Sequence, residues 1–261
     1  MIVVKFGGHA MKDENGNFAK AISAALATGE KVVVVHGGGP QIDAALKAKH
    51  IESQWIGGFR VTTQEIFDVV EDVLVNQVGH QVAATLSKSG IKAQAISARA
   101  LPTVIAQSRT SLIDGTPADL GFVGDVQSVN PAQLLQLLEQ GIVPVVAPVS
   151  SDVDLKTGLN VNADFAAAAI AASLEASALI VMTDVAGIYR NWPDKSSLIE
   201  SISAEELESI KATFAEGMAP KVQAALDALS FGAKAVRIID GTDPDSFASA
   251  LAGTGGTLVV A

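Results

Sequence analysis

Two glycine-rich turns, each placed directly after a run of β-branched residues, give the first indication of chemistry in this chain. The run Val32 to His36 leads into Gly37 to Pro40, and Ile2 to Val4 leads into Lys5 to Gly8. This pattern predicts a strand, a tight turn and a helix, whose first N–H groups and positive dipole end can hold an anion. Glycines that only allow close packing of strand against helix are the alternative.

Four further motifs place charged and amide side chains at element boundaries. Arg60 precedes a predicted helix, Asn160 and Asp164 lie at the entry to an alanine-rich helix, and residues 183–187 follow a strand. Residues 217–221 end in a lysine at a helix start. The P-loop pattern does not occur, and Gly-x-Gly-x-x-Gly is missing from both glycine turns. Any phosphate chemistry must therefore use another architecture.

Composition narrows the function classes. The formal charge is −10 and the 18 lysines and arginines are scattered, which argues against nucleic acid and an anionic membrane as partners. The chain has no cysteine, so disulfides, thiolate metal sites and a cysteine nucleophile are excluded, and its four histidines lack zinc-ligand spacing. We expect a cytoplasmic protein without a signal peptide or membrane span.

Outside the motifs, strand-like runs alternate with helical patterns. The strand-like runs are Ile2 to Phe6, Val32 to His36, Lys92 to Ile96, Ile142 to Val149, Ala178 to Thr183, Ala235 to Ile239 and Thr257 to Val260. The helical patterns are Phe18 to Thr28, Gln41 to His50, Glu65 to Ser89, Ala132 to Glu139, Ala163 to Ala176, Glu205 to Phe214, Ala219 to Phe231 and Pro244 to Leu251. The alternation predicts an α/β fold, a three-layer αβα sandwich around a mainly parallel open sheet.

Three segments stand out from this alternation. The predicted helix from Glu65 to Ser89 has more apolar residues than a surface helix needs, which indicates a core helix or a subunit contact. The turn-rich zone from Ser97 to Gly124 predicts a hairpin flap over a site. A junction between two lobes is expected near Val149 to Lys156.

In their order along the chain, the motifs resemble those of the amino acid kinase superfamily, and within it the kinases that act on N-acetyl-L-glutamate in arginine biosynthesis. The resemblance covers essentially the whole length. The matching motifs are Lys5 to Gly8, His36 to Gly39, Gly58 to Thr62, Asp119 to Gly124, Asn160 to Asp164, Thr183 to Gly187 and Gly217 to Lys221.

The resemblance implies ATP-dependent phosphorylation of the side-chain carboxylate of N-acetyl-L-glutamate, which gives an acyl phosphate. A carboxylate is ionised at neutral pH, so this chemistry needs alignment and charge neutralisation rather than a general base. Mg²⁺ is expected to arrive with the nucleotide, held by phosphate oxygens and water. We expect no metal site formed by the protein itself.

The resemblance also implies a catalytic set. Lys5 and Lys221 are expected to neutralise the transferring phosphoryl group from opposite sides, and Asp164 to orient both lysines. Gly8 is expected to donate its backbone N–H to that group. Solvated lysines and a simple helix N-cap at Asp164 are the structural alternatives.

The implied substrate set lies in three motifs. Gly38 and Gly39 are expected to donate backbone N–H groups, and Asn160 to hold the acetamido end of the substrate. Arg60 is expected to pair with the α-carboxylate, which its planar fork fits in bidentate fashion. A surface arginine is the alternative.

The implied nucleotide site is in the second half of the chain. The residues expected to border the nucleotide are Thr183, Asp184, Gly187, Tyr189, Gly217 and Met218. Turn geometry alone also explains Asp and Gly at strand ends. We expect an N-terminal lobe, residues 1–150, for acyl amino acid binding and dimerisation, and a C-terminal lobe, residues 151–261, for the nucleotide, on one continuous sheet.

The resemblance also implies an assembly. In the family that the chain resembles, the helix that corresponds to Glu65 to Ser89 mediates dimerisation. We therefore expect a homodimer through this helix. The chain starts at the first strand, without the N-terminal helix that links hexamers in arginine-inhibited members. We therefore expect no hexamer and weak or absent feedback by arginine.

One segment departs from the family pattern. Residues 97–101 read Ser-Ala-Arg-Ala-Leu where the family has Gly-x-Ser-Gly-x-Asp, so the shape of the adjacent substrate wall is open. A related kinase acting on a carrier-linked aminoadipate or glutamate, and a non-catalytic regulatory homologue, are the alternative functions. A dinucleotide-dependent dehydrogenase lacks its glycine fingerprint here.

Overall fold

The computed structural model describes residues 1–7, 16–100, 102–214, 218–243 and 245–261. The strands are β1 (Ile2–Phe6), β2 (Val32–His36), β3 (Trp55–Ile56), β4 (Phe59–Arg60), β5 (Ala93–Ser97), β6 (Val104–Ser108), β7 (Val123–Val129), β8 (Val143–Ala147), β9 (Val149–Ser151), β10 (Gly158–Val161), β11 (Ala178–Thr183), β12 (Ser201–Ser203), β13 (Ala235–Asp240) and β14 (Thr257–Val260). The helices are α1 (Asn17–Ala27), α2 (Gly39–Ala48), α3 (Gln64–Glu71), α4 (Gly79–Lys88), α5 (Ala132–Glu139), α6 (Ala163–Ser173), α7 (Ala204–Ile210), α8 (Ala219–Ser230) and α9 (Ser246–Leu251).

An eight-stranded open sheet forms the centre of the molecule, in the order β12-β14-β13-β11-β1-β2-β8-β5. All neighbouring strands are parallel except β13 and β14. The chain continues from β1 to β2 on one side and later returns to β11 on the other. In such sheets, ligands bind where the strand order reverses, outside the carboxyl ends of the strands. The fold therefore places the end of β1 at the expected position of a site.

Helices cover both faces of this sheet, because the central strands are apolar on both sides. Val3 of β1 packs with residues of α5, α6, α7 and α8. Ile2 and Val4 of the same strand pack with residues of α1, α2, α3, α4 and α9. The predicted three-layer αβα sandwich with a mainly parallel sheet is confirmed. None of the helices in the described ranges is long and apolar enough to cross a bilayer.

The predicted helix from Glu65 to Ser89 is continuous but changes its winding in the middle. A π-helical segment, Asp72–Val78, joins α3 to α4. Wider winding rotates the following side chains around the axis, so more than one stripe of apolar residues can enter the same core. Val73 and Leu74 are buried within the chain itself. The excess of apolar residues is thus explained by the core, and it no longer indicates a subunit contact.

A small closed barrel, formed by β10, β7, β6 and β9, lies beside the main sheet. The hairpin predicted within residues 97–124 is confirmed, because β6 and β7 pair as antiparallel strands, and both belong to this barrel. A role of this hairpin as a flap over a site stays a prediction. The strand predicted from Ile142 to Val149 is also split. Its first part is β8 in the main sheet, and after Pro148, which has no N–H to donate, the chain enters β9 of the barrel.

The expected lobe junction, Val149 to Lys156, covers β9 and the turn that leads into β10. Strands from both halves of the chain share the main sheet, since β1, β2, β5 and β8 adjoin β11 to β14. The assignment of separate binding tasks to residues 1–150 and 151–261 stays a prediction.

Candidate active site

A cavity of about 580 Å³ lies beyond the carboxyl ends of β1, β2 and β8. Its walls come from the main sheet, the small barrel and the starts of α2, α6 and α8. Seven of the residues predicted from sequence line it together: Lys5, Gly38, Gly39, Arg60, Asn160, Asp164 and Lys221. They are as much as 216 positions apart in the chain, between Lys5 and Lys221. Tertiary folding thus gathers most of the predicted catalytic and substrate residues around one space.

An aspartate between two lysines forms one end of this cavity. Lys5 Nζ lies 3.1 Å from Asp164 Oδ1, and Lys221 Nζ lies 3.4 Å from Asp164 Oδ2. The Asp164 side chain is only 5% exposed. We name Lys5, Asp164 and Lys221 the lysine–aspartate cluster. Its net charge is positive, so it can attract and hold an anionic group.

The ionised state of Asp164 follows from its two partners. Burial alone would raise the pKa of this carboxyl, but the charges and hydrogen bonds of Lys5 and Lys221 outweigh burial and hold the pKa below its usual value. The carboxylate is therefore charged at neutral pH, and its two oxygens fix the two ammonium groups in place.

The start of α6 positions Asp164 without using it as the helix cap. Asn162 is the N-cap, and its Oδ1 accepts a hydrogen bond of 2.7 Å from the Asp164 N–H. The side chain of Asp164 is thereby released from capping and turned toward the lysines. The alternative of a simple N-cap role for Asp164 is wrong for this reason.

The two glycine turns predicted separately from sequence lie against each other. The Gly37 N–H donates to the Phe6 carbonyl at 2.8 Å, and a Cβ added to Gly37 would be 3.6 Å from the Gly7 Cα. A Cβ added to Gly7 would lie 3.2 Å from the Lys5 Nζ. A larger residue at position 7 would therefore crowd the ammonium group of Lys5. Gly7 keeps a clear path for that lysine.

The start of α2 directs a positive helix end toward the same cavity. Gly38 is the N-cap residue, and no side chain in the described residues caps the helix there. A Cβ added to Gly38 would lie 2.6 Å from Leu74 Cδ2, so the π-helical segment leaves no room for a side chain. The backbone N–H groups at this end can serve an anionic or carbonyl oxygen, as the sequence predicts.

Arg60 lines the same cavity and is almost completely buried. Its NH1 donates to Ser53 Oγ at 2.6 Å, and its NH2 lies 2.7 Å from Asp43 Oδ1. Its guanidinium carbon stands 4.5 Å from the centre of the Trp55 ring, in cation–π geometry. The alternative of a surface arginine is wrong, since only 4% of the side chain is exposed.

Thr62 connects the two residues predicted to hold the amino acid substrate. Its Oγ1 donates to the Arg60 carbonyl at 2.8 Å and accepts from Asn160 Nδ2 at 3.2 Å. Thr62 is fully buried, and the sequence reasoning gave it no role. Trp55, which contacts Arg60, was missed as well, although a tryptophan five residues before an arginine, with Gly57-Gly58 between them, is a usable signal.

His36, at the end of β2, is buried below the glycine turn. Its Nδ1 lies 2.8 Å from the Gly37 carbonyl, so Nδ1 carries the hydrogen and Nε2 carries the lone pair. Burial lowers the pKa of His36 to about 4, although the hydrogen bond to Gly37 favours the protonated ring. The imidazole therefore stays neutral at physiological pH and supports the turn rather than transferring protons.

Of the residues predicted to border the nucleotide, those that the structure describes do not line this cavity. Thr183 ends β11 and bonds locally to Val185, while Gly187 leaves space for Thr257, because a Cβ there would lie 2.5 Å from Thr257 Oγ1. The Tyr189 ring contacts Trp192. These observations give local structural reasons for the motif. The nucleotide assignments of Thr183, Asp184, Gly187, Tyr189 and Met218 stay predictions.

Gly8 and Gly217 lie outside the described residues. Segment 97–101 was expected to adjoin the substrate, but Ser97, Arg99 and Ala100 line a different cavity, and Arg99 pairs with Glu71 at 2.7 Å. The described part of this segment does not line the site cavity. Its unusual sequence thus bears on another surface.

The donor groups of the site suit phosphate and carboxylate oxygens better than a metal bound by protein alone. In the parts of the chain that the structure describes, no three His, Cys, Asp or Glu side chains are grouped as a metal would need. Both oxygens of Asp164 face lysines. The cavity is lined by two cationic groups, the lysine–aspartate cluster and Arg60, and can hold an anion with more than one negative charge.

Comparison with known proteins agrees with this chemistry. The family model described as the amino acid kinase family matches residues 1–240. An acetylglutamate kinase of Nocardia farcinica is 44% identical over 246 residues, which cover 94% of this chain and 81% of that protein. An acetylglutamate kinase of Kineococcus radiotolerans is 41% identical, with 94% and 85% covered.

Solved structures share the fold over nearly the whole chain. The protein smu.665 of Streptococcus mutans UA159 is 28% identical, with a TM-score of 0.82 and coverage of 99% of this chain and 98% of that one. Carbamate kinase of Giardia lamblia is 17% identical, with a TM-score of 0.72 and coverage of 99% and 97%. At that identity the second likeness bears on the fold alone.

Proposed function

The chain belongs to the amino acid kinase family, and we propose that it transfers the γ-phosphoryl group of ATP to the side-chain carboxylate of N-acetyl-L-glutamate in arginine biosynthesis. The observation that carries this proposal is one cavity lined both by the lysine–aspartate cluster and by Arg60 with Asn160. A dicarboxylate substrate matches two cationic ends. The names of the relatives that are 41% and 44% identical support the same acceptor.

The reaction joins two anions, so charge neutralisation is its main requirement. An oxygen of the substrate side-chain carboxylate attacks the γ-phosphorus, the bond to the bridging oxygen breaks, and ADP leaves with that electron pair. We assign Lys5 and Lys221 to the phosphoryl oxygens, where their positive charges stabilise the transition state. Asp164 acts as the positioning residue for both lysines. No proton has to be removed from the nucleophile.

Arg60 and Asn160 are the residues that we assign to substrate orientation. We assign the α-carboxylate to Arg60 and the acetamido group to Asn160, whose side chain is held by Thr62. The N–H groups at Gly38 and Gly39 face the same space and suit the remaining oxygens. Positioning of this kind supplies a large part of the rate enhancement when no covalent catalysis occurs.

The nucleotide is assigned to the second half of the chain, next to Lys221. Its proposed border is formed by Thr183, Asp184, Gly187, Tyr189, Gly217 and Met218. Gly8 is proposed to donate its backbone N–H to the transferring phosphoryl group. Mg²⁺ fits as a partner of the phosphates and water rather than as a resident ion, given the donor groups described above. When bound, it neutralises phosphate charge.

A substrate panel tests the proposed reaction. The protein is incubated with ATP, Mg²⁺ and N-acetylglutamate, and hydroxylamine converts any acyl phosphate into a coloured hydroxamate. We expect strong signal with N-acetylglutamate and little with free glutamate or N-acetylaminoadipate. Preference for a carrier-linked aminoadipate or glutamate would establish the alternative kinase, and no product with any acceptor would indicate a non-catalytic homologue.

We also propose a homodimer that uses the exposed face of the helix formed by α3, the π-helical segment and α4. The family resemblance supports this assembly, whereas Val73 and Leu74 do not, since both are buried in their own chain. A charge at either position would disturb folding and is unsuitable as a test. Light scattering on the intact protein measures the mass directly, and a monomer at micromolar concentration would reject the dimer.

Dependence on ATP and a place in amino acid biosynthesis support a cytoplasmic location. Fractionation of source cells, followed by detection with an antibody, tests this assignment. Recovery in a membrane or extracellular fraction would contradict it.

A further inference from the structure

Arg60 already has a carboxylate partner within the chain, Asp43 of α2. The Asp43 Oδ1 lies 2.7 Å from Arg60 NH2. A carboxylate that binds this guanidinium at NH2 must share or replace the contact. We propose that Asp43 is a specificity-determining residue that competes with the substrate α-carboxylate for Arg60 and thereby limits substrate affinity. This inference rests on the proposed function.

Unequal burial of the pair makes Asp43 the partner that can be exchanged. The Arg60 side chain is 4% exposed, whereas the Asp43 side chain is 57% exposed. An exposed carboxylate keeps most of its hydration when the ion pair opens, so its release costs little. A buried guanidinium without a carboxylate, by contrast, is unfavourable. One carboxylate therefore replaces another at a fixed cation.

The position of Arg60 does not depend on Asp43. Ser53 Oγ accepts from Arg60 NH1 at 2.6 Å, and the Trp55 ring stacks on the guanidinium. Trp55 also pairs with Arg60 through the antiparallel β3 and β4 backbones. Removal of the Asp43 charge thus leaves the arginine in place, with a freer edge. Asp43 is not among the residues that line the cavity, so its removal changes the charge available at Arg60 without changing the shape of the cavity wall.

Two electrostatic effects of Asp43 act in the same direction. Its carboxylate occupies one edge of the guanidinium, and its negative charge repels an incoming anion. Asp43→Asn keeps the shape of the side chain and removes both effects. We expect the KM for N-acetylglutamate to fall by about 1.4- to fivefold, which corresponds to the ~0.2–1 kcal/mol of an ion pair with an exposed partner.

The test compares Asp43→Asn with Glu52→Gln in the same kinase assay. Glu52 is an exposed carboxylate directly before Ser53, so its variant removes an equal charge near Arg60 without removing its partner. Each protein is assayed with N-acetylglutamate and with its α-amide, which keeps the phosphorylated carboxylate but lacks the α-carboxylate. Salt is varied from low to physiological concentration, because screening weakens the contribution of exposed charges.

We expect Asp43→Asn to lower the KM for N-acetylglutamate, most strongly at low salt, with kcat and the KM for ATP unchanged. The α-amide and the Glu52→Gln variant are expected to show no comparable change. A KM that is unchanged or raised in Asp43→Asn overturns the inference. An equal fall with the α-amide, or an equal fall in Glu52→Gln, also overturns it, since either result indicates a general field effect.

Failure of the proposed function would look different from failure of this inference. If wild-type protein produces no hydroxamate from N-acetylglutamate, the function itself is wrong. If wild-type protein is active and only the Asp43→Asn effect is missing, the function stands and the competition by Asp43 is wrong.

Discussion

Two regions of the site use the same chemistry, a cation paired with an aspartate, in opposite ways. In the first, which we call the first end, the carboxylate is buried, and Asp164 lies between Lys5 and Lys221. In the second, which we call the second end, the cation is buried, and the Asp43 side chain beside Arg60 is 57% exposed. A buried carboxylate shared by two lysines is a permanent part of the site. An exposed carboxylate on a buried arginine is exchangeable.

This difference gives the two pairs different tasks: the lysine–aspartate cluster stabilises the site, and Arg60 recognises the substrate. The lysine–aspartate cluster keeps a net positive charge after pairing, so it can attract phosphoryl oxygens without giving up its internal contacts. Arg60 is neutralised one to one by Asp43 and binds an external carboxylate only by exchange. Substitutions at the first end should therefore change folding and the chemical rate, and substitutions at the second end should change substrate affinity.

The largest expected effect is on stability, in Asp164→Asn. Removal of this charge leaves Lys5 and Lys221 close together without a carboxylate, and loss of one partner from a buried ion pair costs about 3–5 kcal/mol. Because the folded-state pKa of Asp164 lies below its ordinary value, its stabilisation is present above that value and is lost as the pH falls through the lowered pKa.

Urea unfolding of wild type and Asp164→Asn at neutral and acid pH measures this effect. We expect the difference between the two proteins to be largest at neutral pH and to shrink in acid. Equal free energies of unfolding at pH 7 would show that the lysine–aspartate cluster does not stabilise the fold.

We expect a second pH effect from His36, the buried histidine that supports the glycine turn after β2. Its pKa is about 4 in the folded protein and its ordinary value is 6.5, so the unfolded chain binds the proton more strongly in this window. The free energy of unfolding therefore falls as the pH drops from 6.5 to 4, by about 3 kcal/mol at 1.36 kcal/mol per pKa unit.

His36→Asn, which does not titrate, should lack this part of the pH dependence. Urea unfolding between pH 4 and pH 7 measures the two slopes. Parallel slopes in wild type and variant would contradict a neutral buried imidazole.

Loss of either lysine should reduce the chemical rate. Lys221→Ala and Lys5→Ala are each expected to lower kcat by about a hundredfold or more, with a smaller change in the KM for N-acetylglutamate. Lys47→Ala, in the last turn of α2, removes an equal charge away from the cavity and serves as the control. Near wild-type turnover in both site variants would place the phosphoryl group elsewhere.

Arg60→Lys should show the smallest of these effects, and it should change only the binding of the amino acid substrate. A lysine cannot form a bidentate contact with a carboxylate, so we expect the KM for N-acetylglutamate to rise about tenfold while the KM for ATP stays nearly constant. Steady-state kinetics with each substrate varied in turn gives both constants. An equal rise in both would indicate a folding defect rather than a lost contact.

Much of the fold follows from local sequence. The runs Ile2–Phe6, Val32–His36 and Ala178–Thr183 are strands with the predicted bounds, because continuous β-branched runs fit a sheet that is buried on both faces. The small barrel was missed, since β6, β9 and β10 are short and partly polar. Their pairing depends on partners distant in sequence. The π-helical segment was missed because the apolar pattern is also compatible with regular winding.

The sequence by itself determined the α/β class, the two glycine turns and the residue types that handle anions, because these depend on periodicity and on side-chain chemistry. Only the tertiary structure decided how those residues are paired. It releases Asp164 from capping through Asn162, links Arg60 to Asn160 through Thr62, and sets Asp43 against Arg60. Such pairings depend on distances between elements far apart in the chain, and local patterns do not contain them.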